Sequence, residues 1–326
     1  MANTIPVSTD AVPEAPKSFI DKVGPALAIG LTAIAAVFGS MSAGQLQYAM
    51  FYKSQAAQDQ AKSTNQWTLA GFKRDRALIR EGDAVGLRAQ SGYAVTTFPP
   101  DNLPLIAVKK NDPTPEETRK KLEAAQTQAY SWLVKKDGPP ATFPPEITDE
   151  HIKALRQALE ERRPEAELLA LAAKIDIAAI NKAIDDAEEK TTVTDKEWDP
   201  TLKAAAELAT YFNDKKADSK ENRIARQAAG FELDERRYRI ESRLNQGVGF
   251  LYDIRVKVSS ATSDKYRKKS ELLGYAMLVA QVGAVAASLA LARKKAGGLW
   301  LIAAVIGFIA LGFGGYALAP AALLAF

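Results

Sequence analysis

The stretch that decides the fold is LALARKKAGGLWLIAAV, residues 289–305, in which Arg293, Lys294 and Lys295 separate two apolar runs. These runs, 272–292 and 299–319, are 21 residues each, and residues 272–326 contain no Asp or Glu. A helix rises about 1.5 Å per residue, so roughly 20 apolar residues cross a hydrocarbon core about 30 Å thick. The pattern predicts two transmembrane helices, 272–292 and 299–319, joined by a tight hairpin, RKKAGG.

A third apolar run, VGPALAIGLTAIAAVFGSMSA, covers residues 23–43. Its small-residue end also fits a cleaved secretory signal, but the preceding tail is too long and too poor in cations for one. We therefore expect transmembrane helix 1 at 23–43. Residues 1–20 are rich in Pro, Ser, Thr and small side chains, which predicts a flexible tail.

The region between these runs, residues 44–271, is strongly charged but almost balanced. It holds 38 of the 43 Lys and Arg residues and 36 of the 39 Asp and Glu residues, which leaves a net charge of +2. This balance gives no support to a nucleic-acid partner. The chain has no cysteine, which excludes disulfides and thiolate metal sites.

Two long helices are predicted to flank a head. The outgoing stalk, 44–82, is proline-free and ends near EGDAVG, where two glycines lie four residues apart. The returning stalk, 199–271, has apolar residues in steps of three and four, a coiled-coil-like seam. The outgoing stripe comprises Leu46, Met50, Ala57, Ala61, Trp67, Phe72 and Leu78, and the returning seam comprises Leu233, Ile240, Leu244, Val248, Leu251, Ile254 and Val258.

The head, 83–198, is predicted to be mainly helical. Residues 82–113 carry four prolines and short β-prone runs, and a strand pair and an ordered loop both fit them. TPEE at 114–117 and TDKE at 194–197 are capping boxes that predict helix starts. Apolar positions between 168 and 184 predict one continuous helix from residue 164 to 190.

Two segments carry a family resemblance. NQWTLAGFK, residues 65–73, follows the first apolar run, and the last two runs form a hairpin with Trp300 near the start of the final span. Together they resemble a family of bacterial membrane proteins known only as a domain of unknown function. The resemblance implies an N-terminal span, a helical stalk, a C-terminal two-span hairpin and a bacterial inner-membrane location. It implies no activity.

Catalytic chemistry has few candidate groups. His151, the only histidine, falls in the first turn of a predicted helix and is interpreted as a solvated helix residue. A chain with one His and no Cys lacks the groups for zinc, thiol or Ser-His chemistry. We read the acidic cluster at 185–189 as solvated, and GFGGY at 312–316 as part of a span. The sequence thus predicts a non-enzyme without a catalytic residue, cofactor, metal or small-molecule substrate.

The predicted spans carry faces of small residues suited to tight helix packing. Gln281 is the one strongly polar residue near mid-span. It could line a pore or a proton path, but a role in interhelical hydrogen bonding fits it better. The predicted packing residues are Ala276, Ala280, Gln281, Gly283, Ala284, Ala287, Gly312 and Gly315. In the returning stalk, the glycines of GVGF (247–250) predict a close backbone contact or a bend, unless they are merely tolerated.

Cations beside the spans bear on topology. Lys265, Arg267, Lys268 and Lys269 are placed to bind anionic lipid headgroups or to act as snorkelling anchors. The short-loop rule places the hairpin cations, Arg293 to Lys295, in the cytoplasm. However, five cations flank the spans on the hairpin side and seven on the head side, and the tail is acidic. The count favours a cytoplasmic head.

These patterns predict an all-α integral membrane protein with three transmembrane helices, a long stalk and a helical head. Its expected function is non-enzymatic: it oligomerises through its stalks, where Trp67 and Ile240 lie, and its small-residue spans. It would serve as a scaffold or accessory subunit whose partners are lipid, further copies or other membrane subunits. The alternative is an oligomeric channel lined by Ala and Gly faces and Gln281.

Overall fold

The computed structural model describes residues 19–93, 116–135, 138–213, 219–292 and 297–319. Within these ranges every regular element is an α-helix, which confirms the all-helical prediction. Residues 94–113, where a strand pair or ordered loop was expected, lie outside the described part. The seven helices are α1 (Phe19–Gln90), α2 (Glu116–Lys135), α3 (Glu150–Glu160), α4 (Glu165–Ala172), α5 (Ile177–Asn213), α6 (Lys220–Ala292) and α7 (Gly297–Leu318).

Three of these helices, α1, α6 and α7, contain segments long and apolar enough to cross a membrane. The most apolar 18-residue segment has a mean hydropathy of 1.8 in α1, 1.8 in α6 and 2.2 in α7. They belong to the helices in which the three apolar runs fall.

Two predicted helix boundaries are wrong. Helix α1 continues through Gly82 and Gly86 to Gln90, because buried contacts such as those of Ala77 and Ala84 offset the roughly 1 kcal/mol cost of each glycine. The predicted helix 164–190 is instead two helices, α4 and α5, separated by residues 173–176. Asp176 caps α5, since its carboxylate accepts the Ala178 N–H at 3.1 Å.

The capping box predicted at 194–197 starts no helix, because these residues lie inside α5. The Thr194 hydroxyl donates instead to the carbonyl of Lys190, one turn earlier, at 2.7 Å. Pro200 also lies within α5.

The chain divides into two compact units, to which α1 and α6 both contribute. We call Met1–Lys53 with Thr262–Phe326 the apolar unit, and Ser54–Ala261 the charged unit. The charged unit contains α2 to α5 and the apolar unit contains α7.

In the charged unit, the predicted seam of α6 is buried in two hydrophobic clusters. One cluster joins α6 to α3, α4 and α5, with Val248 and Ile254 at its centre. The other joins α6 to α2 and α5, and includes Ile240, Leu244 and Trp132. The seam residues are therefore buried, but against the short helices of their own unit.

In the charged unit, the buried face of α1 is made mostly of small residues. The apolar stripe noted in the sequence is not the buried face: its residues, Leu46, Met50, Ala57, Ala61, Trp67, Phe72 and Leu78, are all exposed. Apart from Asp59, the buried residues of α1 in the charged unit are small and fall at every seventh position: Ala56, Ser63, Ala70, Ala77 and Ala84, with Ser91 continuing the series just beyond the helix. Small side chains let two helices approach closely. In agreement, the Ser242 hydroxyl of α6 donates to the main-chain carbonyl of Ala70 at 2.8 Å.

The apolar unit repeats this arrangement. Ser263 of α6 donates to the carbonyl of Ala49 at 2.8 Å, and Ser42 of α1 donates to the carbonyl of Ser270 at 2.8 Å. Helix α7 also buries an alanine at every seventh position, at residues 303, 310 and 317. Close packing by small residues thus occurs in both units.

A matched glycine pair on α6 tests the packing of the charged unit. A Cβ at Gly247 would lie 2.5 Å from Cγ of Pro144, whereas one at Gly230 would meet nothing within 4 Å. We expect Gly247→Ala to lower the free energy of unfolding by about 1–3 kcal/mol. Gly230→Ala should raise it by up to about 1 kcal/mol, because Ala favours the helix. Thermal unfolding of the full chain in detergent checks both; equal stability of the two variants would contradict the packing described.

Candidate functional site

The groups considered for catalysis are dispersed. His151 is exposed in the first turn of α3, where its backbone N–H donates to the capping carboxylate of Asp149 at 2.9 Å. In the acidic cluster of α5, Asp185, Asp186 and Glu189 are exposed. Among the described residues, no group of three or more His, Cys, Asp or Glu side chains is placed to hold a metal ion.

The most elaborate polar arrangement lies between α1 and α6 in the charged unit. Arg255 of α6 donates to both carboxylate oxygens of Asp59 on α1, at 2.9 and 2.5 Å. Its third contact is the side-chain oxygen of Asn181 on α5, at 3.1 Å. The Asp59 side chain is only 3% exposed, so this is a buried, bidentate ion pair that joins three helices.

Tyr252 extends the network by one turn of α6. Its hydroxyl donates to Glu188 on α5 at 2.6 Å, and the Arg255 guanidinium lies 4.8 Å from its ring centroid. Burial, followed by the hydrogen bond to Glu188, raises the pKa of Tyr252 to about 12. The hydroxyl therefore remains protonated at neutral pH and acts as a donor.

Trp67, from the segment that carries the family resemblance, connects α1 to α6 by a hydrogen bond. Its indole Nε1 donates to Asp253 at 2.9 Å, and the Ser63 hydroxyl donates to the other oxygen of the same carboxylate at 2.5 Å. A Cβ at Gly249 would lie 3.3 Å from the indole ring. Gly247 and Gly249 thus both mark close contacts, one of the alternatives that the sequence leaves open.

Further ion pairs follow α1 towards its C-terminal end. Glu232 of α6 accepts from Arg88 at 2.9 Å, and Asp234 lies 3.6 Å from Arg80. Lys73 contacts Glu241, which Arg237 also approaches at 3.2 Å. These pairs lie on one side of α1 along the charged unit, and no described residue covers its opposite side.

That opposite side is apolar. Phe72, Leu78, Ile79 and Val85 are between 55% and 62% exposed. Gly71, Gly82 and Gly86 lie among them, and a Cβ at any of these three would meet nothing within 4 Å. We call Gly71, Phe72, Leu78, Ile79, Val85 and Gly86 the outward stripe. Phe72 and Leu78 belong to the apolar stripe noted in the sequence, whereas Ile79 and Val85 were not included in it.

The predicted packing residues of the apolar unit divide into two groups. Ala276, Ala280, Gly283, Ala284 and Ala287 are buried, and a Cβ at Gly283 would lie 3.1 Å from Ile306. By contrast, Gln281 is exposed, as are Gly312 and Gly315, and a Cβ at either glycine would meet nothing within 4 Å.

The sequence reasoning overlooked Gly314. A Cβ at this position would lie 2.1 Å from Cζ of Phe38, so the ring occupies the space that a side chain would need. Gly314 lies four residues after Ala310 and three before Ala317, both buried. That helical spacing was the signal available in the sequence.

The cations assigned to lipid headgroups are neighbours in the sequence of Tyr266, which belongs to a stack of tyrosines. Tyr266 of α6 lies between Tyr48 and Tyr52 of α1, with ring centroids 5.3 and 5.6 Å apart. The four cations are mostly exposed, with only Lys269 partly buried; they are Lys265, Arg267, Lys268 and Lys269. The hairpin cations Arg293, Lys294 and Lys295 lie outside the described residues.

Comparison of the chain with family models, curated proteins and solved structures found no significant match. The resemblance drawn from NQWTLAGFK and the terminal hairpin stays a prediction, and the site is interpreted from its geometry alone.

The buried ion pair permits a test of how α1 and α6 are held together. We expect Asp59→Ala to lower the free energy of unfolding by about 3–5 kcal/mol, because it leaves the Arg255 charge buried and unpaired. Replacing both partners, as Asp59→Ala with Arg255→Met, should cost less than the two single losses added together. Chemical denaturation of the two variants and of Arg255→Met alone completes the double-mutant cycle; additive losses would show that the pair is not coupled.

Proposed function

We propose that this chain is a non-enzymatic, membrane-anchored helical protein that acts by assembly, as a scaffold or accessory subunit of a bacterial inner-membrane complex. The observation that carries the proposal is the outward stripe. In the charged unit, helix α1 buries Ala and Ser against α6, while the large apolar side chains Phe72, Leu78, Ile79 and Val85 are exposed. Such an arrangement suits a surface that a partner covers.

The composition of the stripe supports a partner rather than a chance surface. Contiguous exposed apolar patches on soluble domains commonly mark interaction sites. Gly71, Gly82 and Gly86 each cost the helix about 1 kcal/mol relative to Ala, and no side chain of the described part packs on them. A second helix lying close along α1 would use both the large side chains and the glycines.

Membrane anchoring is supported by the apolar unit. Large apolar side chains on its surface, such as Leu278, Val282 and Phe308, are more than half exposed. Tyrosines and cations together are typical of the membrane–water interface, and the Tyr48–Tyr266–Tyr52 stack lies beside Lys265 and Arg267 in the chain. We assign 23–43, 272–292 and 299–319 to the spans, with anionic lipid headgroups around the tyrosine stack.

The channel alternative draws on one observation. Gln281 is exposed on the surface of its unit, so a pore that it lines would have to form between copies. Self-assembly is therefore common to both functions, and bilayer conductance that changes in Gln281→Leu would favour the channel. Bilayers in which the protein produces no conductance would favour the scaffold function.

Topology is tested with the cysteine-free chain. Single cysteines are introduced at Ser219 and, separately, at Ala296, and intact cells are labelled with a membrane-impermeant thiol reagent. A cytoplasmic head predicts labelling at position 296 and protection at position 219. The reverse pattern would place the head in the periplasm, as the short-loop rule requires.

Assembly is tested by the mass of the purified full chain in mild detergent, measured by light scattering. We expect a particle with more than one copy, or with a co-purified subunit. Phe72→Ser combined with Ile79→Ser should shift the mass to one chain, whereas Phe143→Ser, an equally exposed Phe elsewhere in the charged unit, should leave it unchanged. A wild-type protein that is monomeric and without partners would overturn the proposal.

A further inference from the structure

The outward stripe is made of two rows of residues whose large and small members run in opposite order. It consists of two rows with seven-residue spacing: Gly71, Leu78 and Val85 in one, Phe72, Ile79 and Gly86 in the other. Residues seven apart lie almost above one another on a helix, because two turns take 7.2 residues. Each row has a glycine at one end and a large side chain at the other, in opposite order.

We infer that the outward stripe binds the same stripe of a second copy, antiparallel, about a two-fold axis between Leu78 and Ile79. Reversing one helix about this point places Gly71 opposite the partner's Val85, and Phe72 opposite the partner's Gly86. Leu78 and Ile79 meet their own counterparts at the centre. Every large end of a row then faces a glycine, so that two helices can pack closely with large side chains over small ones.

The charges on both sides of the stripe obey the same symmetry. Arg74 and Glu81 lie along one edge, Arg76 and Asp83 along the other, and all four are exposed. Antiparallel pairing about the same axis brings Arg74 to the partner's Glu81 and Arg76 to the partner's Asp83. Opposite charges at the rim of an interface favour one orientation over others.

Parallel pairing in register reverses these relations. It would place Arg74 beside the partner's Arg76 and Glu81 beside the partner's Asp83, so both ends of the rim would carry like charges. The two rows would also exchange places, so that Phe72 faces the partner's Gly71 and Val85 faces the partner's Gly86. Shape therefore fits both arrangements, and the charges at the rim select the antiparallel one.

Existing contacts of the rim residues are compatible with this interface. Glu81 accepts from Arg239 at 2.9 Å and Asp83 lies 3.5 Å from Arg80, with all four side chains at least one-third exposed. Exposed pairs of this kind contribute about 0–1 kcal/mol, and a carboxylate can accept more than one donor. Asp75, between the rows, lies opposite the partner's Gly82, so that each copy places one carboxylate across from a residue without a side chain.

The inference deepens the proposed assembly function, on which it rests for the anchoring of each copy. Antiparallel pairing reverses the chain direction of α1 in the partner. The kind of partner that the interface fits is a second molecule of this chain.

Cysteine cross-linking of the full chain in detergent tests the orientation. Phe72→Cys and Gly86→Cys are purified separately, one with a longer tag, then mixed and oxidised. We expect a mixed dimer at least ten times more abundant than the Phe72→Cys or Gly86→Cys homodimer, and a strong Leu78→Cys homodimer at the centre. Phe143→Cys, exposed outside the stripe, serves as the control for random collision.

A second pair of variants tests the charges without cysteines. Arg74→Glu with Arg76→Glu should lower the dimer fraction at least tenfold, as should Glu81→Arg with Asp83→Arg. Mixing the two variants should restore the dimer, because each then presents the charges that the other lacks. This restoration would not occur if the substitutions only unfolded the chain.

Several outcomes would overturn the inference while leaving the assembly function intact. A Phe72→Cys homodimer as abundant as the mixed dimer would indicate parallel pairing. An oligomeric wild-type particle without cross-links at positions 72, 78 or 86 would place the interface elsewhere, for instance because another segment of the chain covers the stripe. A monomeric wild-type particle would instead contradict both proposals.

Discussion

The arrangement of α1 and α6 depends on the close approach that small residues permit. Ala or Ser at every seventh position of α1 brings the main chain of this helix within reach of serine hydroxyls on α6. A larger residue at one of these positions would separate the helices and break these hydrogen bonds. The other features of α1 follow, since its bulky residues must lie on the remaining faces.

Within the charged unit, helix α6 is buried on two of its sides. Within the charged unit its aliphatic seam fills the clusters formed with α2 to α5, while Ser242, Asp253 and Arg255 face α1. A helix buried on two sides has little surface left for a partner, whereas the described residues of the charged unit cover α1 on one side. The exposed apolar surface considered for assembly is consequently on α1.

The sequence was sufficient to predict the helices and the three apolar segments, because their length and composition leave few alternatives. It was less informative for α1, because in the charged unit small residues, and not the large apolar ones, form most of the buried face. It also missed the break before Asp176 and the role of Gly314, which depend on a capping bond and on the position of Phe38 in another helix. Such features are set by tertiary neighbours that no local pattern contains.

The regular spacing of small residues on α1 has a consequence for register. A repeat of seven is matched equally well after one helix slides by seven residues, about 10 Å, so the alanines and serines alone do not define a unique alignment. The irregular polar groups remove this degeneracy. After such a slide Arg255 would face Gln66 in place of Asp59, and a buried guanidinium without its carboxylate is costly. The buried charges therefore select one alignment of α1 and α6 among those that the small residues alone would permit.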